Sequence, residues 1–150
     1  GENEWRTWGN LGDCYRFTPG YSEKALEAYQ HAIQLAEENL LADPSKAHLH
    51  ASLALYLAKS GQPEKALAEI SEAHKLKPND IIILLNSIVV FELSGERDQA
   101  ISALEEYVKR GGPLEEIKKD PFLSELRTDE RYLKLTRRGS STQTNPQGNN

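Results

Sequence analysis

The chain has 150 residues, 38% of them apolar and 27% charged, a net charge of −5 and a mean hydropathy of −0.63. That length predicts one domain or one repeat array, and the low apolar share suits an elongated molecule better than a sphere. No apolar run reaches the ~18 residues of a membrane-spanning helix, and Gly1-Glu2-Asn3-Glu4 lacks the basic start and apolar core of a signal peptide. Net charge is −4 over residues 1–46, 0 over 47–80, −2 over 81–112 and +1 over 113–150. No segment has the basic excess that would hold a phosphate backbone, so nucleic-acid binding is disfavoured. Methionine is absent, which predicts a piece of a longer protein, with Gly1 as a cleavage scar. The single cysteine, Cys14, forms no internal disulfide. This favours a reducing compartment, the cytoplasm over the periplasm.

In chain order, Trp8-Gly9-Asn10-Leu11-Gly12-Asp13-Cys14-Tyr15 opens a first helix. Ala25, Leu26, Tyr29, Ala32, Ile33, Ala36 and Leu40 then follow the spacing of a second amphipathic helix. That helix runs on: 12 residues separate Ala32 from Pro44, against 5 from Ala73 to Pro78 in the next copy. It should therefore overhang its neighbours by about two turns. The stretch Leu57 to Leu67 matches Phe91 to Ile101 at a spacing of 34, with Ser60 over Ser94, Gly61 over Gly95 and Ala66 over Ala100. Gly61 and Gly95 are expected to end helices in the left-handed conformation, and Pro63 suits a helix's first position. Ile81 to Phe91 is apolar almost throughout. Its Ile and Val content fits a strand, but its place in the repeat predicts a helix buried on nearly all sides.

Gly111-Gly112-Pro113 closes the array. A short helix at Leu114 to Ile117, another capped by Asp120 with Pro121 at its first position, and a last one capped by Thr128 or Asp129 and ending near Arg138 should follow. Leu114, Ile117, Phe122, Leu123, Leu126, Tyr132, Leu133 and Leu135 are expected to cover the open end of the last repeat, as terminal repeats require. Residues 139–150 carry no charge and no large apolar group and read as a disordered tail.

Trp8, Leu11, Gly12, Tyr15, Ala25 and Tyr29 occupy the consensus positions of the tetratricopeptide repeat, which the first copy resembles. His50, Leu53, Ala54, Leu57, Ala66, Ile70, Ala73 and Pro78 hold the same register in the second copy. In the third it is Leu84, Ser87, Ile88, Phe91, Ala100, Leu104 and Tyr107. The resemblance implies an all-α fold: an α-solenoid of three helix-turn-helix repeats (about residues 5–46, 47–80 and 81–112) with a helical cap over 113–138. Large residues such as Trp8, Tyr15, Tyr29 and Phe91 would fill the space that Gly12, Ala54 and Ala66 leave. The segment Asp120-Pro121-x-Leu123-x-x-Leu126-Arg127-Thr128-Asp129-x-Arg131-Tyr132 is similar to the closing cap of arrays in bacterial signalling proteins: eukaryotic-like kinases, adenylate cyclases and winged-helix regulators.

No catalytic or cofactor-binding pattern appears. His31, His48, His50 and His74 lack the spacing of helical metal sites. Cys14 reads as a buried structural thiol with no base beside it in sequence. Glu37-Glu38, Glu105-Glu106 and Glu115-Glu116 are solvated charge. The residues therefore predict no enzyme, no cofactor and no metal. The resemblance places a partner-binding groove on the first helix of each repeat: Arg6, Asn10 and Asp13, then His48, Ser52 and Leu55, then Ile82, Leu85, Asn86 and Val89, with Gly9, Ala51 and Ala58 between them. The lysines of a chaperone-tail clamp are missing there, Lys59 standing only at the edge. The expected function is a non-catalytic module that binds a protein or peptide partner. The alternative is a C-terminal regulatory or oligomerisation domain acting on its own kinase, cyclase or transcription-regulator domain, which would include a homodimer.

Overall fold

The computed structural model describes residues 3–144. Among them are eight α-helices and no strand: α1 (Glu4–Arg16), α2 (Ser22–Ala42), α3 (Ala47–Lys59), α4 (Pro63–Leu76), α5 (Ile81–Leu93), α6 (Arg97–Lys109), α7 (Leu114–Lys119) and α8 (Glu130–Thr144). Two 3-10 turns, Pro121–Leu123 and Leu126–Thr128, lie between α7 and α8. Helices pair as α1 with α2, α3 with α4 and α5 with α6, and the pairs stack through α2 on α3, α4 on α5 and α3 on α5. This is an α-solenoid of helical repeats.

The repeat is visible in its hydrogen bonds. At the end of α3, the N–H groups of Ser60, Gly61 and Gln62 donate to the carbonyls of Tyr56, Ala58 and Leu57. The same three bonds recur 34 residues on, from Ser94, Gly95 and Glu96 to Val90, Glu92 and Phe91. Gly61 and Gly95 sit at φ 81° and 78°, the left-handed geometry that lets the chain satisfy the last helical carbonyls. The first repeat departs from this scheme: Thr18 N–H bonds the Tyr15 carbonyl and Tyr21 N–H bonds the Thr18 carbonyl. The longer turn thus uses a different closure. The overhang is also present, since α2 has 21 residues against 14 in α4 and 13 in α6. Seven extra residues add about 10 Å of helix, and Leu41 near its end is 86% exposed.

Small residues sit where helices meet closely. A Cβ on Gly12 would lie 2.5 Å from Cε1 of the buried Tyr29 ring, and one on Gly9 would lie 2.4 Å from Tyr56. Ala54, Ala66 and Ala100 are fully buried. The large residues divide differently from expectation. Tyr29 fills the seam, but Trp8 is half-buried and stacks on His31 at 4.3 Å, Tyr15 is half-buried and stacks on Tyr21 at 5.6 Å, and Trp5 supplies the buried indole.

Two apolar clusters form the core. One gathers Trp5, Tyr29, Ile33, Leu53, Leu57 and Ile70, and the other Leu104, Tyr107, Ile117, Leu123, Leu126 and Tyr132. Helix α5 belongs to both, giving Ile83 and Val90 to the first and Leu84, Ile88 and Val89 to the second. That shared position explains its unbroken apolar run. Burial is not complete, because Ile82 is 55% exposed. In the last segment the Asp120 carboxylate accepts the Phe122 N–H at 2.9 Å, starting a 3-10 turn where a helix is expected, and Asp129 accepts the Arg131 N–H at 2.8 Å. Leu133 is the exception among its apolar residues and stays exposed. Helix α8 continues to Thr144, so residues 139–144 are helical rather than part of a disordered tail. Residues 145–150 lie outside the described residues.

Candidate functional site

The first helices α1, α3 and α5 share one face. Its floor is made of small or covered positions: Ala51 and Ala58 are buried, and Gly9 lies against Tyr56. Three of the residues named from sequence, Arg6, His48 and Ser52, line one cavity of about 550 Å³ at the start of α1 and α3. Arg6, Asn10, His48 and Ile82 are exposed, and Ser52, Leu55, Leu85 and Asn86 are half-buried. Two of the named residues are taken up by the chain itself. Val89 is buried within the second cluster and cannot meet a partner. Asp13 accepts the Tyr29 hydroxyl at 2.7 Å and Lys59 Nζ at 3.0 Å.

At the far end of this face the chain's own side chains meet, while Phe17 stays 51% exposed. Phe122, in the first 3-10 turn of the cap, meets Phe17 edge-to-face with ring centroids 5.0 Å apart. Lys59 Nζ lies 4.5 Å from the Phe122 ring centre, and the Arg16 guanidinium 5.8 Å. The Lys59 side chain is only 9% exposed, so its charge is spent between the Asp13 carboxylate and the ring. Direct ring contact between Phe17 and a turn packed on α5 joins the first repeat to the cap across the first-helix face.

The histidines serve this scaffold. His50 Nδ1 lies 2.6 Å from Glu69 Oε2 and Nε2 lies 2.9 Å from the Pro44 carbonyl. Both partners only accept, so both ring nitrogens carry protons and the ring is cationic. Burial opposes that charge, but the bonds to Glu69 and Pro44 outweigh it and raise the His50 pKa. His74 is the reverse case. The Ser87 hydroxyl donates to the Ile83 carbonyl at 2.6 Å and accepts from His74 Nε2 at 2.6 Å, while burial lowers the His74 pKa. His48 Nε2 donates to Asp80 Oδ1 at 3.0 Å. Asp80 also caps α5 through the Ile83 N–H, and Lys77 Nζ stands 3.3 Å from its second oxygen.

Other charges anchor the cap. Arg97 holds Glu92 through two 2.7 Å bonds and reaches Asp129 at 3.4 Å. Arg131 bonds Asp129 and Asp98, which pushes the Asp129 carboxyl far down. Arg127 donates to the Ile117 and Asp120 carbonyls. Cys14 is exposed, which corrects the expectation of a buried thiol: it lines a cavity with Asp13, Phe17, Lys59 and Phe122. Among the described residues, no three of His, Cys, Asp and Glu come together as metal ligands, and no helix is long and apolar enough to cross a membrane.

The helix pair Glu4–Arg16 and Ser22–Ala42 carries the decisive match. Residues 6–39 match the family model of the tetratricopeptide repeat. An 82-residue stretch, 54% of this chain, is 30% identical to the anaphase-promoting complex subunit cut9 of Schizosaccharomyces pombe. The chain spans only 11% of the length of that relative. The tetratricopeptide match covers the first helix pair.

Sequence reasoning placed Phe122 in the cap but did not find its contact with Phe17, the role of Lys59, or Lys46 and Lys77 beside the open cavity. Asp13 and Lys59 are 46 residues apart, and Phe17 and Phe122 are more than a hundred residues apart in the chain. No local spacing signals either contact.

Proposed function

We propose that this chain is a non-catalytic protein-interaction module that takes a partner segment along the open half of its first-helix face. The observation that carries the reading is the asymmetry of that face. Exposed Arg6, Asn10, His48 and Ile82 stand at one end, while the chain's own Phe122 packs on Phe17 at the other. The match to a repeat family that generally mediates protein–protein contacts supports it, as does a relative named as a subunit of a complex. The groove residues on this reading are Arg6, Asn10, His48, Ser52, Leu55, Ile82, Leu85 and Asn86, with Asp13 a support for Lys59. The partner slides apolar side chains against Leu55, Ile82 and Leu85, and burial of that area drives binding.

The test is affinity capture from source-cell extract with the intact chain, Leu85→Glu and the outer-face variant Glu105→Lys, all confirmed folded by circular dichroism. A partner held by the parent and by Glu105→Lys but lost by Leu85→Glu supports the groove. A partner retained equally by all three removes this face from consideration.

A second reading has its own support. Asp120, Arg127, Asp129 and Arg131 of the segment similar to bacterial signalling arrays all build the cap. A regulatory or oligomerisation domain of such a protein, with a sister copy or its own effector domain in the groove, would use the same face. A dimer mass in solution that Leu85→Glu returns to monomer favours it.

A further inference from the structure

The cavity at the start of α1 and α3 has a chemical bias that the rest of the chain lacks. Arg6, Lys46, His48 and Lys77 line it, and none of its eleven lining residues is acidic. Yet residues 1–46, which supply Arg6 and Lys46, carry a net −4 and the whole chain −5. The positive lining is thus a local arrangement against the overall charge. Two carboxylates border it and both are occupied: Asp80 by the α5 cap, His48 and Lys77, and Asp43 by the Ser45 N–H and hydroxyl. The floor is apolar, formed by buried Trp5 and Leu49, and Leu76 at the rim is 40% exposed. Exposed Ile82 lies two residues beyond Asp80.

From these features we infer that the cavity docks an acidic segment of a partner protein, its carboxylates meeting Arg6, Lys46 and Lys77 and an interspersed apolar side chain resting on Leu76. This rests on the groove reading above and names the chemistry of the partner's entry point. The chain's own last twelve residues carry no charge and so do not supply this occupant. Cations on three different stretches, α1, the α2–α3 connection and the residues after α4, converge only in the folded stack. The site therefore reads the folded array, and it reads side-chain carboxylates rather than a chain terminus. Opposite charge at such a mouth speeds encounter and selects against basic partners.

The probe is a fluorescent, acetylated and amidated peptide of sequence Glu-Glu-Leu-Glu-Glu-Leu, with the Gln-Gln-Leu-Gln-Gln-Leu peptide as its neutral counterpart. Anisotropy titrations at low salt compare the parent, Arg6→Glu, Lys46→Glu and the outer-face control Lys65→Glu, each checked for helicity and melting. The expected result is saturable binding of the acidic peptide, at least tenfold weaker in Arg6→Glu and Lys46→Glu, unchanged in Lys65→Glu and at least tenfold weaker for the neutral peptide. Equal binding of both peptides, or equal loss in all three variants, overturns the proposal. So does a dimer in solution that Arg6→Glu dissociates, because the occupant is then a second copy. If the acidic peptide fails while Leu85→Glu still loses the captured partner, the cavity proposal falls and the groove reading stands. Failure of both removes both.

Discussion

The two ends of the first-helix face are built from the same three helices and differ. At the end formed by the last turns of α1 and α3, charge and aromatic surface are satisfied from inside. Lys59 is paired to Asp13 and covered by Phe122, and Phe122 rests on Phe17. At the end formed by their first turns, Arg6 and His48 are exposed around a cavity, and Ile82 stands in water. The difference teaches that a repeat array need not offer its whole groove. The cap does more than cover the last repeat: through Phe122 it reaches back to Phe17 and Arg16 of the first.

The largest effect should come from the closed end. Phe122→Ala removes a half-buried ring, and about 2 kcal/mol of stability should go with it, roughly half the cost of truncating a fully buried Phe. Urea unfolding reads it, and faster alkylation of Cys14, beside the vacated ring, should accompany it. No loss of stability would mean that the cap does not bind the first repeat. Lys59→Met keeps the apolar stem but removes the cation between Asp13 and the ring. It should cost about 1 kcal/mol, because Asp13 remains partly open to water. A double-mutant cycle with Phe122→Ala should return a non-additive term, and strict additivity would break the proposed contact.

Proton linkage gives a subtler contrast. His50, whose folded pKa is raised, adds stability that is fully present below its unfolded value of about 6.5 and is lost as pH climbs through the folded value. His74, whose folded pKa is lowered, has stability present above about 6.5 and lost as pH falls through its folded value. Urea midpoints across this range should therefore show an alkaline decline that His50→Gln abolishes and an acid decline that it leaves in place. An alkaline decline that persists in His50→Gln would contradict the cationic assignment. The smallest effect belongs to the open end, where Ile82→Ala should stay within about 0.5 kcal/mol of the parent. A larger loss would show that this end is also bound from within.

Most of the fold is legible in the sequence because its determinants are local and recur. Gly61 and Gly95 mark the turns, Tyr29 answers Gly12, and Asp120-Pro121 and Asp129 start the elements of the cap. The length of α2 follows from where Pro44 falls. What escapes is set by contacts between residues distant in the chain. Val89 is a groove position by register, but it is buried in the second cluster. Asp13 is one as well, but Lys59 and Tyr29 claim it. Trp8 holds the consensus position and packs at the margin of the first cluster, stacked on His31, while the indole that is buried belongs to Trp5. The cationic lining escapes for a related reason: Lys46 and Lys77 lie in connections outside the repeat pattern.

Hydrogen–deuterium exchange on the parent and on Phe122→Ala tests the two-ended face most directly. The expected result is faster exchange in the variant at the last turns of α1 and α3, residues 12–17 and 56–60, with the first turns, residues 5–9 and 48–51, unchanged. An even rise along both helices, or no change at either end, would contradict it.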